Sequence, residues 1–254
     1  MPAAPHERPA AGAMSVELRL YGLHAVQAAF ARRPEALRKL YLAESRIPQL
    51  QPLLKWCVAH RIGYRVVAGE DLRKLAASSH HEGVVADVLR DEPVPLTTWL
   101  RGLPDGPACA LWLDGVGNPH NLGAILRSAA HFGAAAVLLP KQSTLALSGA
   151  AARVAEGGAD AVPFVRMGRE DNAIAQLHGA GFALAATVVR GGADLFATAL
   201  PPRLVYVLGA EGEGMDAGLA TACDLRLSIA GTGAVESLNV ASATAVFLAA
   251  WARA

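Results

Sequence analysis

Short, continuously apolar segments recur through the second half of the chain, and helical segments separate most of them. Strands with this composition are buried on both faces, which is typical of a parallel sheet covered by helices on either side. The pattern therefore predicts an α/β fold for this half. The predicted strands are 109–113, 136–139, 162–165, 182–187, 204–208 and 225–228, and the predicted helices include 121–132, 171–178 and an almost entirely apolar last helix at 237–253.

A smaller α/β module is predicted in front of this sheet, at 16–90, after a flexible, Pro- and Ala-rich tail at 1–15. Four prolines in 91–107 interrupt the alternation of elements, so this segment is predicted to be a linker to the larger domain at 108–254. The predicted elements of the small module are helices at 23–32, 50–58 and 71–77 and strands at 40–43, 64–67 and 83–89.

Composition excludes several classes of protein. The chain has 254 residues, of which 53% are hydrophobic and 18% charged, so it is not a disordered chain. Its longest apolar stretch, 241–252, is shorter than the ~20 residues of a membrane span, and the N-terminus carries no secretory pattern. The three cysteines, Cys57, Cys109 and Cys223, lack the spacing of a zinc site. We expect no metal, no membrane association and a cytoplasmic location.

Charge is distributed unevenly along the chain. Residues 15–90 hold 12 Lys and Arg against 7 Asp and Glu, a balance of +5, whereas 91–254 hold 10 against 14, a balance of −4. A basic module next to an acidic one indicates attraction to a polyanion, although ordinary solvated surface charge gives the same count. The candidate RNA contacts are the basic cluster Arg32, Arg33, Arg38 and Lys39 and the loop residues His80, His81 and Glu82.

Three loops follow predicted strands at the edge where α/β sheets bind ligands. The first, at 113–133, leads into a helix on which Arg127 points away from the apolar stripe, towards solvent or a ligand, and Asn121 stands where a helix cap is the simpler explanation. The second, at 204–215, contains GAEGEG, and the third, at 228–245, places Ser237 and Asn239 where the last helix begins. Neither a GxGxxG nor a P-loop pattern is present.

Together, the three loops resemble a known family. NPHNLGAILRSA, LGAEGEGM and SLNVASATA, in that order and spacing, resemble the three motifs of the SpoU family of RNA ribose 2′-O-methyltransferases, also called the TrmH family. The resemblance extends over the chain after the tail. Within the family, the chain is similar to the bacterial 23S rRNA guanosine 2′-O-methyltransferases, and its SGAAARVAEGGAD run is similar to a branch with a poorly defined RNA target.

The resemblance implies an N-terminal RNA-binding domain, a C-terminal trefoil knot of the SPOUT type, a homodimer formed through the knot helices, and S-adenosylmethionine as cofactor. It implies cofactor binding at Gly209, Ile229 and Leu238. It also implies that Arg127 activates the 2′-hydroxyl, either as a base or, because a guanidinium is effectively never deprotonated, as a fixed cation beside the developing alkoxide. The implied functional polar residues are Asn121, Arg127, Glu211, Ser237 and Asn239.

Other functions are compatible with parts of the pattern. A nucleotide- or nicotinamide-dependent enzyme on a doubly wound sheet would need one of the missing phosphate-binding motifs. A non-catalytic RNA-binding or ribosome-assembly protein would not need all five polar residues of the motifs. Within the enzyme class, rRNA and tRNA are both possible substrates, because RNA targets are chosen by loop shape and stacked bases.

Overall fold

The computed structural model describes residues 16–210 and 214–254, so the predicted tail at 1–15 lies outside the described residues. Within them, a smaller N-terminal domain precedes a larger C-terminal one. The N-terminal domain consists of β1 (Glu17–Tyr21), α1 (Leu23–Arg32), β2 (Leu37–Leu42), α2 (Gln51–His60), β3 (Gly63–Val66), α3 (Gly69–Ala76) and β4 (Val84–Leu89).

The sheet of the N-terminal domain is mixed and has the order β1-β4-β2-β3. Strands β1 and β2 are antiparallel to β4, and β3 runs parallel to β2 along the edge. Leu40, Leu42 and Val84 are fully buried in the main core of this domain, and Val85 is buried in a smaller cluster with Leu72 of α3. The central strand β4 is thus buried on both faces, which suits its valine-rich sequence.

The C-terminal domain is built on a sheet in which every described strand pair is parallel. Its order is β10-β12-β9-β11-β6-β7-β8-β5. Its elements are β5 (Val94–Pro95), α4 (Leu96–Gly102), β6 (Ala108–Leu113), α5 (Pro119–Phe132), β7 (Ala136–Leu139), α6 (Gly149–Ala155), α7 (Gly158–Ala161), β8 (Phe164–Arg166), α8 (Glu170–Gly179), β9 (Ala183–Thr187), β10 (Ala193–Asp194), β11 (Arg203–Leu208), α9 (Ala217–Ala222), β12 (Leu225–Ser228) and α10 (Val240–Trp251).

Both faces of this sheet are buried. Along β6, Leu111 packs into a core shared with α5, α6 and α10, whereas its neighbour Trp112 packs into a core with α4 and α8. Successive side chains of a strand point to opposite faces, so a strand between two cores must be apolar throughout. The α/β fold with a helix-covered parallel sheet is therefore confirmed. No helix within the described residues is long and apolar enough to cross a membrane.

The structure corrects the prediction of a linker at 91–107. Val94–Pro95 forms the edge strand that pairs with β8, and Leu96–Gly102 is a helix whose Leu96 and Trp99 are buried against the larger sheet. Prolines misled the prediction because they are compatible with an edge strand and with a helix start, which is where Pro95 lies.

The two domains meet at α6 and α7. Ala152 of α6 joins the core of the N-terminal domain. Nearby, the Nε of Arg33 lies 2.7 Å from Asp160 Oδ1, and both side chains are buried, with exposures of 10% and 4%. Arg33 also donates to the carbonyl of Leu89. Arg33 was predicted as an RNA contact, and this prediction is wrong, because its guanidinium is buried at the domain contact.

The pKa of Asp160 is raised, chiefly because the carboxyl is buried, and the ion pair with Arg33 opposes the shift. A raised folded-state pKa means that protonation favours the folded state. The contribution of this carboxyl to stability is therefore largest below its unfolded pKa, and it falls as the pH rises through the folded pKa.

We predict that Arg33→Met lowers the free energy of unfolding at pH 7.5 by about 3–5 kcal/mol, because it leaves a buried carboxylate without its partner. The deficit shrinks towards pH 5, since a protonated Asp160 is neutral. Urea unfolding at both pH values measures this, with Arg38→Met at an exposed position as the control. Equal deficits at the two pH values would contradict the explanation.

Candidate functional site

The three loops identified in the sequence converge at one edge of the larger sheet. They follow β6, β11 and β12, and all of these strands run in the same direction. β6 pairs directly with β11, and only β9 separates β11 from β12. Parallel strands bring their carboxyl ends to one edge, so the loops form a continuous surface there.

A cavity of about 770 Å³ opens between the second and third loops. This volume is within the range of ligand pockets in proteins. Its wall is largely apolar side chains and loop backbone, and it contains five residues that the sequence singled out, Gly209, Ile229, Ser237, Leu238 and Asn239. The other lining residues are Thr187, Val188, Val189, Leu208, Ala210, Gly214, Met215, Ala217, Ala220, Thr221, Arg226, Glu236, Val240, Ala243 and Phe247.

Gly209 allows the second loop to turn back on itself. The backbones of Ala210 and Gly214 exchange two hydrogen bonds of 2.9 and 3.0 Å. A Cβ at position 209 would lie 2.5 Å from backbone atoms of Gly214 and Met215. A side chain larger than hydrogen cannot fit without moving this backbone, which forms part of the cavity wall.

A smaller cavity, of about 180 Å³, adjoins the first. It is lined by the first loop, including Asn118 and Asn121, and the two cavities share Ala210 and Val240 in their walls. The start of α5 thus stands beside the large cavity. A ligand in one cavity and a ligand in the other would lie close together.

Asn121 and Asn239 connect the helices at this junction. The Nδ2 of Asn239 donates to Asn121 Oδ1 over 3.1 Å, and Asn239 also caps α10 by accepting from the backbone N–H of Ala241. The helix cap of α5 is Asn118, which accepts from the N–H of His120. Asn121 is therefore not the cap residue, and capping does not explain its presence.

Arg127 lies on the next turns of α5, with a side chain that is 59% exposed, as its helical position predicts. It is not among the described residues that line either cavity. Its Nη2 lies 2.9 Å from Glu156 Oε2 at the end of α6. Glu211 lies outside the described residues. The sequence predicts that the last helix starts at position 237. It begins at Val240 instead, so Ser237 lies in the preceding loop.

Sequence reasoning missed three charged side chains of this region. Arg226 and Glu236 line the large cavity, and Glu156 pairs with Arg127. Arg226 is a charged residue between two leucines of a predicted strand, and this could have marked it as a candidate in the sequence. Nothing in the periodicity marks Glu156, because its partner is distant in sequence.

The cysteines do not supply nucleophiles. Burial raises the pKa of Cys57 to about 11 and that of Cys223 to about 11, and it raises the pKa of Cys109 as well. All three thiols are protonated at neutral pH and therefore lack the thiolate that nucleophilic catalysis needs. Cys57 and Cys109 are buried, and Cys223 is partly buried.

Comparison with known families returns two matches that together span the described domains. Residues 108–249 match the model of the SpoU rRNA methylase family. Residues 19–94 match the model described as RNA 2′-O ribose methyltransferase substrate binding.

Two named relatives illustrate the similarity. The chain is 37% identical over 232 residues to the 23S rRNA (guanosine-2′-O-)-methyltransferase RlmB of Bordetella pertussis, covering 90% of this chain and 94% of the relative. It is 38% identical over 239 residues to the uncharacterized tRNA/rRNA methyltransferase YfiF of Escherichia coli O157:H7, covering 93% of this chain and 68% of the relative.

Among solved structures, the AdoMet-bound rRNA methyltransferase of Sinorhizobium meliloti superposes with a TM-score of 0.77 at 23% identity, covering 93% of this chain and 87% of that one. The SpoU methyltransferase AviRb of Streptomyces viridochromogenes, in complex with AdoMet, gives 0.76 at 21% identity, with coverages of 93% and 90%. At these identities the likeness establishes a shared fold.

We predict that Asn239→Ser and Asn121→Ala each lower the free energy of unfolding by at least about 0.5–1.5 kcal/mol, because each loses the bond between the two helices. Serine keeps the helix cap. Asn239→Ala also loses the cap, which adds about 1 kcal/mol. Urea unfolding of the three variants measures the difference. Equal losses for Asn239→Ser and Asn239→Ala would show that the cap contributes nothing.

Proposed function

Because the chain belongs to the SpoU rRNA methylase family, and is therefore an S-adenosylmethionine-dependent RNA ribose 2′-O-methyltransferase, we propose that its substrate is a guanosine of 23S rRNA. The relatives named RlmB support this target, since they match over nearly their whole length. The expected location is the cytoplasm, where rRNA is modified in bacteria.

The structural observation that supports methyl transfer at this site is the pair of adjoining cavities at the carboxyl edge of the sheet. A methyl transfer between two large molecules needs a cofactor site and an acceptor site in contact. The large cavity suits the cofactor, and the smaller one beside Asn121 suits the target ribose. Holding two reactants in line supplies on the order of 7–11 kcal/mol of the barrier reduction.

The residues around the large cavity fit S-adenosylmethionine. Gly209, Ile229 and Leu238 bring loop backbone to the wall, where N–H and C=O groups can bind the adenine edge, and Phe247 and Val240 offer apolar surface. The charged side chains Arg226 and Glu236 suit the carboxylate and ammonium of the methionine part. When bound, the cofactor supplies a methyl group activated by its sulfonium.

In this proposal Arg127 acts as a fixed cation. A guanidinium is effectively never deprotonated in proteins, so this side chain can stabilise negative charge that develops on the ribose 2′-oxygen and can contact a neighbouring phosphate. Its 59% exposure suits a group that meets its target only when RNA is bound. Charge stabilisation of this kind is worth more once RNA excludes water from the site.

The remaining polar residues position the reactants. Asn121 and Asn239 hold the starts of α5 and α10 together where the two cavities meet. Ser237 stands in the loop that forms the cavity wall. Glu211 is proposed to orient the nucleotide, on the basis of its motif position in the sequence alone.

The N-terminal domain is proposed to bind RNA through its basic surface. Arg32 and Arg38 are exposed and Lys39 is partly exposed, so these three members of the predicted cluster are accessible to phosphates. Glu82 is engaged instead in a domain contact, since it accepts from the N–H of Leu23 and lies 3.6 Å from Arg153. Phosphate contacts make binding salt-dependent.

We also propose a homodimer through α10. Val246 and Trp251 are only partly buried within one chain, although the helix is almost entirely apolar. A helix that is apolar on most of its surface needs a second partner. The knot implied by the family resemblance stays a prediction.

We predict that the protein transfers label from methyl-labelled S-adenosylmethionine to unmodified 23S rRNA, and that Arg127→Ala lowers kcat roughly 10²- to 10³-fold. Scintillation counting of rRNA and, separately, bulk tRNA measures both. Label in tRNA alone would make tRNA the substrate. Cofactor binding without label in either RNA would mean that the substrate is a precursor or a ribosomal particle. The absence of both label and cofactor binding would favour a non-catalytic RNA-binding protein.

We predict that Gly209→Ala weakens S-adenosylmethionine binding about tenfold or more, because the added Cβ displaces the cavity wall. Isothermal titration calorimetry measures the Kd. The matched control is Gly231→Ala, since a Cβ there meets nothing within 4 Å. Unchanged affinity in Gly209→Ala would place the cofactor elsewhere.

A further inference from the structure

Glu156 is the residue in direct contact with the side chain proposed to act on the RNA. Its Oε2 lies 2.9 Å from Arg127 Nη2. It stands just after α6, in the left-handed backbone region with a φ of 45°. Few residues other than glycine adopt this backbone conformation, so the chain direction at Glu156 is closely defined.

The backbone that carries Glu156 is itself fixed against the turn of α5 that carries Arg127. A Cβ at Gly158 would lie 2.6 Å from the carbonyl oxygen of Leu126 and 3.0 Å from the Cα of Arg127. Glycine is therefore required for this close approach. The backbone next to Glu156 therefore stays close to the turn of α5 that carries Arg127.

The segment 153–160, which contains Glu156, contacts the N-terminal domain at both of its ends. Arg153 lies 3.6 Å from Glu82 at one end, and Asp160 forms its buried ion pair with Arg33 at the other. Glu156 stands midway between these anchors. The partner of Arg127 is thus held by the domain proposed to bind RNA as well as by α5.

Stability does not account for this contact. Arg127 and Glu156 have side-chain exposures of 59% and 43%, and exposed ion pairs contribute little to the stability of a fold. What an exposed pair can do is restrict orientation. A guanidinium has five N–H donors, so it can pair with Glu156 and contact RNA at the same time.

We propose that Glu156 is a positioning residue that holds the guanidinium of Arg127 in the orientation needed beside the ribose 2′-oxygen. This rests on the proposed function of Arg127. Glu156 does not touch the cofactor cavity, since it is not among the described lining residues. It acts on the rate of methyl transfer through Arg127.

The test compares Glu156→Gln, which keeps the shape and removes the charge, with Asp171→Asn. Asp171 forms an ion pair with Arg169, 3.3 Å apart, that is more exposed than the pair of Glu156 with Arg127, so Asp171→Asn is the control for the loss of a surface carboxylate. We expect Glu156→Gln to lower kcat about tenfold, with an unchanged cofactor Kd and melting temperature. We expect no further loss of kcat when Glu156→Gln is combined with Arg127→Ala. Glu156→Asp should recover part of the rate.

A second readout does not depend on turnover. In NMR spectra of the ¹⁵N-arginine-labelled protein, the Arg127 signal, assigned by its loss in Arg127→Lys, should show slow rotation of the guanidinium in wild type and in Asp171→Asn. It should show fast rotation in Glu156→Gln. Restricted rotation in all three proteins would overturn the proposal.

The outcomes separate this inference from the proposed function. If wild type labels RNA and Arg127→Ala does not, but Glu156→Gln retains the wild-type kcat, the positioning role is wrong and the function stands. If Glu156→Gln lowers kcat equally in the Arg127→Ala background, Glu156 does not act through Arg127. If no RNA is labelled, the proposed function fails, and the inference fails with it.

Discussion

The parallel pairing of β6 with β11 is the constraint on which the site depends. Six residue pairs, from Arg203 with Ala108 to Leu208 with Leu113, set the two strands in register, and both strands end together. The first and second loops therefore leave the sheet at the same level. Because β12 also runs in this direction, the third loop leaves the sheet at the same edge. The position of the cavities is therefore set by strand direction and register and does not depend on any individual polar side chain.

Much of this arrangement could be predicted from sequence, because its causes are local. A strand buried on both faces must be apolar at every position, which is why the bounds predicted for 136–139 agree with the structure to the residue. The outward orientation of Arg127 follows from helical geometry. The five polar residues and three cofactor positions came from motif resemblance, and the large cavity contains five of these eight.

What the sequence did not reveal depends on contacts between distant segments. Pro95 was interpreted as a linker residue, although it borders an edge strand and a helix that pack on the larger sheet. Arg33 was indistinguishable from its exposed neighbours until Asp160, 127 residues away, was placed beside it. Glu156 could not be linked to Arg127 for the same reason. Periodicity reports which face of an element is buried, but not which element covers it.

The doubled role of Asn239 also restricts how this chain can vary in evolution. The side-chain oxygen of Asn239 caps the N-terminus of α10, and its Nδ2 donates to Asn121. A substitution that suits the cap, such as serine, leaves Asn121 without this bond, and one that keeps the length but not the polarity loses both. We therefore expect the residues at positions 121 and 239 to change together in evolution or to stay unchanged. Covariation between positions 121 and 239, where it occurs, would therefore reflect helix architecture as much as chemistry.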